Sequence, residues 1–130
     1  MPFERSFDAQ IGLVYERVEP DEVVGRLAVR PELLDAGGRL HGGVLTAVAE
    51  GMASMGTAAG VLSEGMAASG MSNDTSLVAD VTAGEVTALA RRRAAAPDVW
   101  TWDVEITDAG GRTCSLSKVL IAVRPMRPAG

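Results

Sequence analysis

The chain has 130 residues, of which 47% are hydrophobic, so length and composition predict one globular domain with a single packed core. Twelve basic residues against 17 acidic ones give a net charge of −5, which argues against a nucleic-acid partner. The single cysteine, Cys114, excludes an internal disulfide and a multi-cysteine metal site, and we expect neither a metal nor another cofactor.

The first residues contain neither a basic leader nor an apolar leader segment. No uninterrupted apolar stretch reaches the length that a bilayer requires. We therefore expect a soluble, cytoplasmic protein without a membrane partner.

The hydrophobic pattern predicts the elements of the first half in chain order. A short helix over residues 6–10 precedes strands at 12–18 and 22–30, which a turn joins into a hairpin. A loop over residues 31–40 then leads into a long helix from about 42 to about 62. Apolar and small residues occupy nearly all sides of this helix, so we expect most of its surface to be buried.

Strands make up the second half. Strands at residues 73–81 and 85–92 are predicted to pair with each other around a turn at Gly84. A second hairpin joins a strand over 100–107 to a return strand in which apolar residues alternate over 119–123.

These elements together predict the fold class. One buried helix against about five to six antiparallel strands is an α+β architecture in which the sheet wraps around the helix. We expect one domain over residues 1–124 and a short flexible tail over 125–130.

The segment around the start of the long helix has the pattern most typical of a reactive site. His41 precedes Gly42 and Gly43, where uncovered backbone N–H groups and the positive end of the helix dipole favour an oxyanion. About two turns later, Glu50 lies among alanine, valine and methionine residues, where burial would disfavour its ionised form unless a partner is present. A carboxylate in that position is typical of a catalytic site.

One helix cannot bring both groups to the same carbonyl. About eight residues separate Gly42 from Glu50, or about 12 Å along the helix axis. A reacting carbonyl needs both groups within about 3–3.5 Å. Two antiparallel copies related by a two-fold axis would meet this condition. The sequence therefore predicts two equivalent sites at a homodimer interface, each using Gly42 of one subunit and Glu50 of the other.

The run from residues 31–35 through His41-Gly42-Gly43 to Glu50 resembles the hotdog-fold acyl-CoA thioesterases. The similar branch includes 4-hydroxybenzoyl-CoA, phenylacetyl-CoA and 1,4-dihydroxy-2-naphthoyl-CoA thioesterases, and the resemblance covers nearly the whole chain. It implies a hotdog fold, hydrolysis of an acyl-CoA, possibly aromatic, to the free acid and CoA, and homodimers that typically pair into homotetramers.

The resemblance also implies roles for individual residues. The Gly42 N–H would bind the oxyanion, and Glu50 would act as the nucleophile or as a general base through water. His41 would orient the thioester or hold the loop, although capping the helix start is an alternative. Ser54 would position water or the carboxylate, or would only allow a tight helix contact. Further substrate contacts are implied for Gly43, Thr75 and Arg93.

Two departures from the family pattern keep other functions open. Asp35 stands where the family usually has asparagine or glutamine, so it cannot donate a hydrogen bond when ionised, and a second carboxylate near Glu50 would shift a pKa. Basic residues that commonly meet the CoA phosphates are absent, and Arg93 in the run 91–93 either replaces them or belongs to a solvated charge run. An acyl-carrier-protein thioesterase and a non-catalytic acyl-binding hotdog protein are the alternatives.

Overall fold

The computed structural model describes residues 2–127, which form six strands and two α-helices. The short helix α1 covers Phe7–Ile11, and the long helix α2 covers Gly42–Val61. Three 3-10 turns lie at Phe3–Arg5, Pro31–Leu33 and Leu62–Glu64. The strands are β1 (Leu13–Val18), β2 (Glu22–Ala28), β3 (Met66–Leu77), β4 (Glu85–Ala95), β5 (Val99–Thr107) and β6 (Thr113–Pro125).

All six strands form one antiparallel sheet in the order β1-β2-β4-β5-β6-β3, and α2 packs against one face of it. Alternate residues of β4 and β5, among them Val86, Ala88, Trp102 and Val104, are buried on this face. The predicted α+β architecture and the hotdog fold are confirmed. The two edges of the sheet belong to β1 and β3.

The predicted pairing of the third and fourth strands is wrong. β3 pairs with β6, whereas β4 pairs with β2, so two strands separate β3 from β4 in the sheet. The connection after Leu77 crosses the end of the sheet, and the Val78 N–H donates to the Cys114 carbonyl at 2.8 Å. Gly84 does form a turn, with φ +87°, but its carbonyl accepts from the Val29 N–H at the end of β2. A turn signal is local and does not reveal which strand lies beside the next one.

The other elements lie close to their predicted positions, with one exception. α2 begins at Gly42 as predicted, and Gly65, at φ +73°, ends the 3-10 turn that follows the helix. β3 starts at Met66, seven residues before the predicted start at 73. Its first part is rich in small residues that have a low strand propensity, and pairing with β6 overrides that preference.

The core centres on a tryptophan of β5 that lies against α2. Trp102 is fully buried, and its indole N–H donates to the Thr57 hydroxyl at 2.9 Å. That hydroxyl in turn donates to the Ala53 carbonyl at 2.9 Å, so the buried polar atoms are paired. Gly56 lies against the six-membered ring of the indole, and a Cβ there would come within 2.8 Å of Cζ2.

The segment Gly42–Glu64 is the one helical stretch within residues 2–127 that is long and apolar enough to cross a membrane. The sequence predicted no such span. In the structure the segment is the core helix of the fold, because Val48, Ala49, Met52 and Ala53 are buried against the sheet. Its apolar character therefore reflects packing inside the protein.

The C-terminal residues lie partly in the sheet. β6 extends to Pro125, and the Met126 N–H donates to the Gly65 carbonyl at 3.0 Å. The rest of the predicted tail, residues 128–130, lies outside the described residues.

We expect Gly56→Ala to lower the free energy of unfolding by about 1–3 kcal/mol, because the added methyl overlaps the rigid indole of Trp102. Alanine has a helix propensity about 1 kcal/mol better than glycine, so local propensity predicts the opposite sign. Urea denaturation followed by circular dichroism measures the difference. Gly110→Ala is the matched control, since a Cβ there meets its nearest atom, Asp108 Oδ1, at 3.5 Å. A Gly56→Ala protein as stable as wild type would contradict the packing argument.

Candidate active site

The start of α2 leaves one backbone donor available. His41 is the N-cap, and its Nδ1 accepts from the Gly43 N–H at 2.8 Å. The His41 carbonyl accepts from Val44 at 2.9 Å and from Leu45 at 3.4 Å. The Gly42 N–H has no acceptor among residues 2–127. A donor at the positive end of a 20-residue helix suits an incoming oxyanion.

Gly42 lies against the end of β3. A Cβ at this position would come within 2.5 Å of Leu77 Cδ1, so the absence of a side chain permits the close approach. Gly42, Leu77, Asp35 and Asp80 line a small open cavity of about 240 Å³. The candidate oxyanion donor therefore sits in a partly apolar recess beside β3.

Asp35 organises the loop that precedes α2. One carboxylate oxygen accepts from the Gly37 N–H at 2.8 Å and from the Arg39 N–H at 3.1 Å. The Arg39 backbone N–H, together with the Gly37 N–H and the Arg39 guanidinium, holds the pKa of the Asp35 carboxyl below its usual range. Within one chain Asp35 shares a cavity with Gly42 and not with Glu50.

Glu50 is exposed in the single chain, so the expectation that it is buried is wrong at this level. The neighbouring residues Ala49, Met52 and Ala53 face the sheet, and a helix turns about 100° per residue. Glu50 is therefore directed away from the core. Its carboxylate reaches over the Cα of Gly70 in β3, where a Cβ would come within 2.6 Å of Oε1.

The Glu50 side chain lines an open cavity of about 430 Å³ on the outer face of α2. Ser54, one turn further along the helix, lines the same cavity. The remaining lining residues come from α1, α2 and β3: Phe7, Asp8, Ala47, Gly51, Met55, Ala58 and Ala68. The structure thus brings Glu50 and Ser54 together and adds Asp8, which sequence reasoning missed.

A polar network joins β3 to the first turns of α2. The Asn73 side-chain amide donates to the Thr46 carbonyl at 3.0 Å. The Thr75 hydroxyl lies 2.7 Å from both the Asn73 side-chain oxygen and the Ser117 hydroxyl. Within the chain, the hydroxyl of the candidate substrate residue Thr75 is therefore already hydrogen-bonded. Sequence reasoning missed Asn73, because the polar residues around it show no alternation that would indicate which of them faces α2.

Arg93 lies apart from both cavities on α2. It occupies a bulge of β4, where the register with β5 shifts, and its guanidinium pairs with Asp103. Both residues line an open cavity on the sheet face opposite α2. Arg92 stacks over Trp100 at 4.7 Å and Arg91 lies 4.0 Å from Glu22, so each arginine of the run has a local partner. Within the described chain, no cluster of His, Cys, Asp and Glu is suited to hold a metal ion.

No protein-family model matches the chain. Individual proteins are nevertheless similar to it in sequence. A proposed esterase of Mycobacterium tuberculosis, Rv1847, is 34% identical over 94% of this chain and 89% of its own length. A 1,4-dihydroxy-2-naphthoyl-CoA hydrolase of Listeria monocytogenes is 31% identical over 90% of this chain and 94% of its own length.

Solved structures agree with these matches. The structure of the Mycobacterium tuberculosis protein Rv1847 aligns with a TM-score of 0.89 over 94% of this chain and 98% of that chain, at 34% identity. The thioesterase HI1161 of Haemophilus influenzae aligns with a TM-score of 0.85 over 95% of this chain and 86% of that chain, at 25% identity.

Asp35→Ala should destabilise the protein at neutral pH, and the deficit should shrink in acid. A carboxyl whose pKa is lowered by folding stabilises the folded state above its unfolded-state pKa, and this contribution is lost as the pH falls through the folded-state pKa. Thermal midpoints of wild type and variant between pH 7 and pH 3 measure the trend. Glu32→Ala, an exposed acid of the same loop, should show no such convergence. A deficit that is constant with pH would exclude the ionised carboxylate as its cause.

Proposed function

The chain belongs to the hotdog-fold thioesterase family, and on that premise we propose that it hydrolyses an acyl-CoA thioester to the free acid and CoA. One observation carries the proposal. Gly42, whose backbone N–H is an available donor at the start of α2, contacts β3. Glu50, the only carboxylate of α2, contacts the same strand. An oxyanion donor and an acidic side chain are the two groups that thioester hydrolysis needs.

The chemistry follows from these two groups. The Gly42 N–H polarises the thioester carbonyl and holds the negative charge that develops on its oxygen. By one route, Glu50 takes a proton from water, the resulting hydroxide adds to the carbonyl carbon, and the C–S bond breaks as the thiol leaves with a proton. By the other, Glu50 itself attacks the carbonyl carbon, the C–S bond breaks and the CoA thiolate leaves. Water then hydrolyses the resulting anhydride, which releases the acid, restores the Glu50 carboxylate and supplies the proton that the thiolate takes up. Both routes use the same two residues.

The active site of this proposal needs two chains. Within one chain, Gly42 and Glu50 line different cavities. Their separation along α2 is about 12 Å, far beyond the distance at which both could act on one carbonyl. A second copy must therefore supply one of the two groups.

The contacts between α2 and β3 indicate where the two-fold axis would pass. Gly42 contacts Leu77, the Thr46 carbonyl accepts from Asn73, and Glu50 contacts Gly70. Thr46 is midway between residues 42 and 50, and Asn73 lies near the midpoint of residues 70 and 77. An axis near this hydrogen bond would place α2 antiparallel to its copy, with Gly42 of one chain beside Glu50 of the other.

The edge of β3 supports the same arrangement. β3 is a 12-residue edge strand, so its outer backbone groups have no strand partner within the described chain. Antiparallel pairing of β3 with its copy about Asn73 would set Gly70 opposite Ser76 of the copy, one residue from Leu77. The edge of β3 and the contacts of α2 thus favour the same two-fold axis. A dimer of such dimers stays a prediction from the family resemblance, and a cytoplasmic location stays a prediction from the sequence.

The remaining candidate residues have supporting roles in this proposal. His41 caps α2 and thereby fixes the direction of the Gly42 N–H, and Gly43 takes part in the same cap. Ser54 lies one turn from Glu50 in the same cavity and would orient the attacking water. Thr75 holds Asn73, which fixes β3 to α2.

A carrier-protein thioester is a second candidate substrate. Arg39, the basic residue of the cavity that contains Gly42, already lies 3.4 Å from Asp35 and 3.7 Å from Asp80. Arg93 is paired with Asp103 on the opposite face of the sheet. Because these cations have acidic partners, a substrate without a free nucleotide would also suit the site.

We expect Glu50→Ala to lower kcat for acyl-CoA hydrolysis by about 10²- to 10⁴-fold, because it removes the group that delivers or activates the nucleophile. A thiol reagent that reports released CoA measures the rate on benzoyl-, phenylacetyl- and aliphatic acyl-CoA. Glu64→Ala is the control, since this exposed acid lies beyond the end of α2. A fully active Glu50→Ala enzyme would refute the assignment. Adding an acyl-carrier-protein thioester to the panel separates the two substrate classes.

Two inactive variants should restore each other if each site is shared between chains. Gly42→Pro removes the backbone N–H at a position where proline fits a helix start, and Glu50→Ala removes the carboxylate. A mixed dimer would have one site with both groups intact. Random mixing in equal amounts should therefore recover about a quarter of the wild-type rate.

Gly42→Ala is the matched control for this experiment, because it adds the same Cβ beside Leu77 but keeps the N–H. It should retain more activity than Gly42→Pro. Co-expression with two affinity tags isolates the mixed dimer, and light scattering gives its mass. An inactive mixed dimer would contradict a site shared between chains, and a monomeric wild type would exclude the proposed site.

A further inference from the structure

A second carboxylate lines the cavity that contains Glu50. Asp8 belongs to the first turn of α1, and its side chain lies over the Cα of Gly51 in α2. A Cβ at Gly51 would come within 2.7 Å of Asp8 Oδ2 and within 3.0 Å of Oδ1. Gly51, which immediately follows Glu50 in the sequence, has no side chain and therefore leaves room for the Asp8 carboxylate.

Tyr15 holds Asp8 in this position. The Tyr15 hydroxyl donates to Asp8 Oδ2 at 2.8 Å, and the Tyr15 ring packs edge-on against Phe3 with 6.0 Å between centroids. Burial, reinforced by the charge of Asp8, raises the pKa of Tyr15 above its usual value, so the hydroxyl stays protonated and remains a donor. Asp8 Oδ1 accepts no hydrogen bond from residues 2–127.

The cavity around this carboxylate is otherwise suited to an apolar group. Phe7, Met55, Ala58 and Ala68 provide apolar surface, and the volume of about 430 Å³ is within the range for small-molecule sites. A purely apolar acyl group in this space would remove water from Asp8 without giving it a hydrogen bond, which is costly. An acyl group that carries a hydroxyl would instead donate to Oδ1.

We propose that Asp8, oriented by Tyr15, is a specificity-determining residue that selects acyl groups bearing a hydroxyl over their unsubstituted counterparts. The inference rests on the proposed thioesterase function, because it assumes that the acyl group extends from Glu50 into this cavity. Asp8 does not take part in bond breaking. It determines which acyl group binds productively.

The test compares kcat/KM for benzoyl-CoA with that for 3-hydroxybenzoyl-CoA and 4-hydroxybenzoyl-CoA. We expect wild type to favour at least one hydroxylated substrate by about ten- to a hundredfold, as for a hydrogen bond to a charged group. Asp8→Ala should abolish this preference, lowering the rate on the hydroxylated substrate and raising that on benzoyl-CoA. Asp8→Asn, whose amide oxygen still accepts, should keep part of the preference.

Two further variants separate selection from folding. Tyr15→Phe removes the hydrogen bond that orients Asp8 and should weaken the preference without abolishing hydrolysis of either substrate class. Glu4 is an exposed acid of the same N-terminal segment that neither lines this cavity nor takes part in a hydrogen bond described above. Glu4→Ala should therefore keep the wild-type ratio of kcat/KM between hydroxylated and unsubstituted substrates. Thermal midpoints of all variants show whether the fold is intact.

The outcomes distinguish this inference from the function on which it rests. If wild type releases CoA neither from these three substrates nor from phenylacetyl- and aliphatic acyl-CoA, the proposed function fails and this inference fails with it. If wild type hydrolyses only phenylacetyl- or aliphatic acyl-CoA, the proposed function stands and the role of Asp8 is overturned. If wild type hydrolyses all three at equal rates, or if Asp8→Ala lowers all three rates equally, the role of Asp8 alone is overturned.

Discussion

Close packing of α2 against the sheet is the constraint on which the rest of the structure depends. The helix approaches so closely because glycine stands where a side chain would collide, as at Gly56 against the Trp102 indole. The buried Thr57 hydroxyl then pairs with the same indole and fixes the rotation of the helix about its axis. With that rotation fixed, Ala49 and Ala53 face inward and Glu50 must face outward.

The same close packing recurs along β3 and divides the candidate site. Gly42 lies on Leu77 near one end of the strand, and Glu50 lies over Gly70 towards the other. The Asn73 amide connects the middle of the strand to the Thr46 carbonyl between them. A rigid helix and a rigid strand hold the two groups at a fixed separation, so neither can move to the other within one chain. In the proposed function, this separation is the reason that a second chain has to contribute one of the two groups.

Electrostatics around the site distinguishes structural carboxylates from available ones. Asp35 is occupied by two backbone N–H groups and by Arg39, so it stabilises the loop before α2. Glu50 has no hydrogen bond or ion pair within residues 2–127, and Asp8 accepts only from Tyr15. Carboxylate oxygens that lie beside a cavity and have no local donor are the ones available to a substrate.

The sequence by itself determined the long helix from Gly42, the strand alternation around Trp102 and the spacing between Gly42 and Glu50, because these depend on periodicity among near neighbours. It also indicated that one chain could not hold a whole site, since helix rise alone fixes that distance. Only the tertiary structure decided that β3 pairs with β6, that Glu50 is exposed in the single chain and that Asp8 reaches the same cavity. Each of these depends on contacts between residues far apart in the chain, and no local pattern encodes which distant surfaces meet.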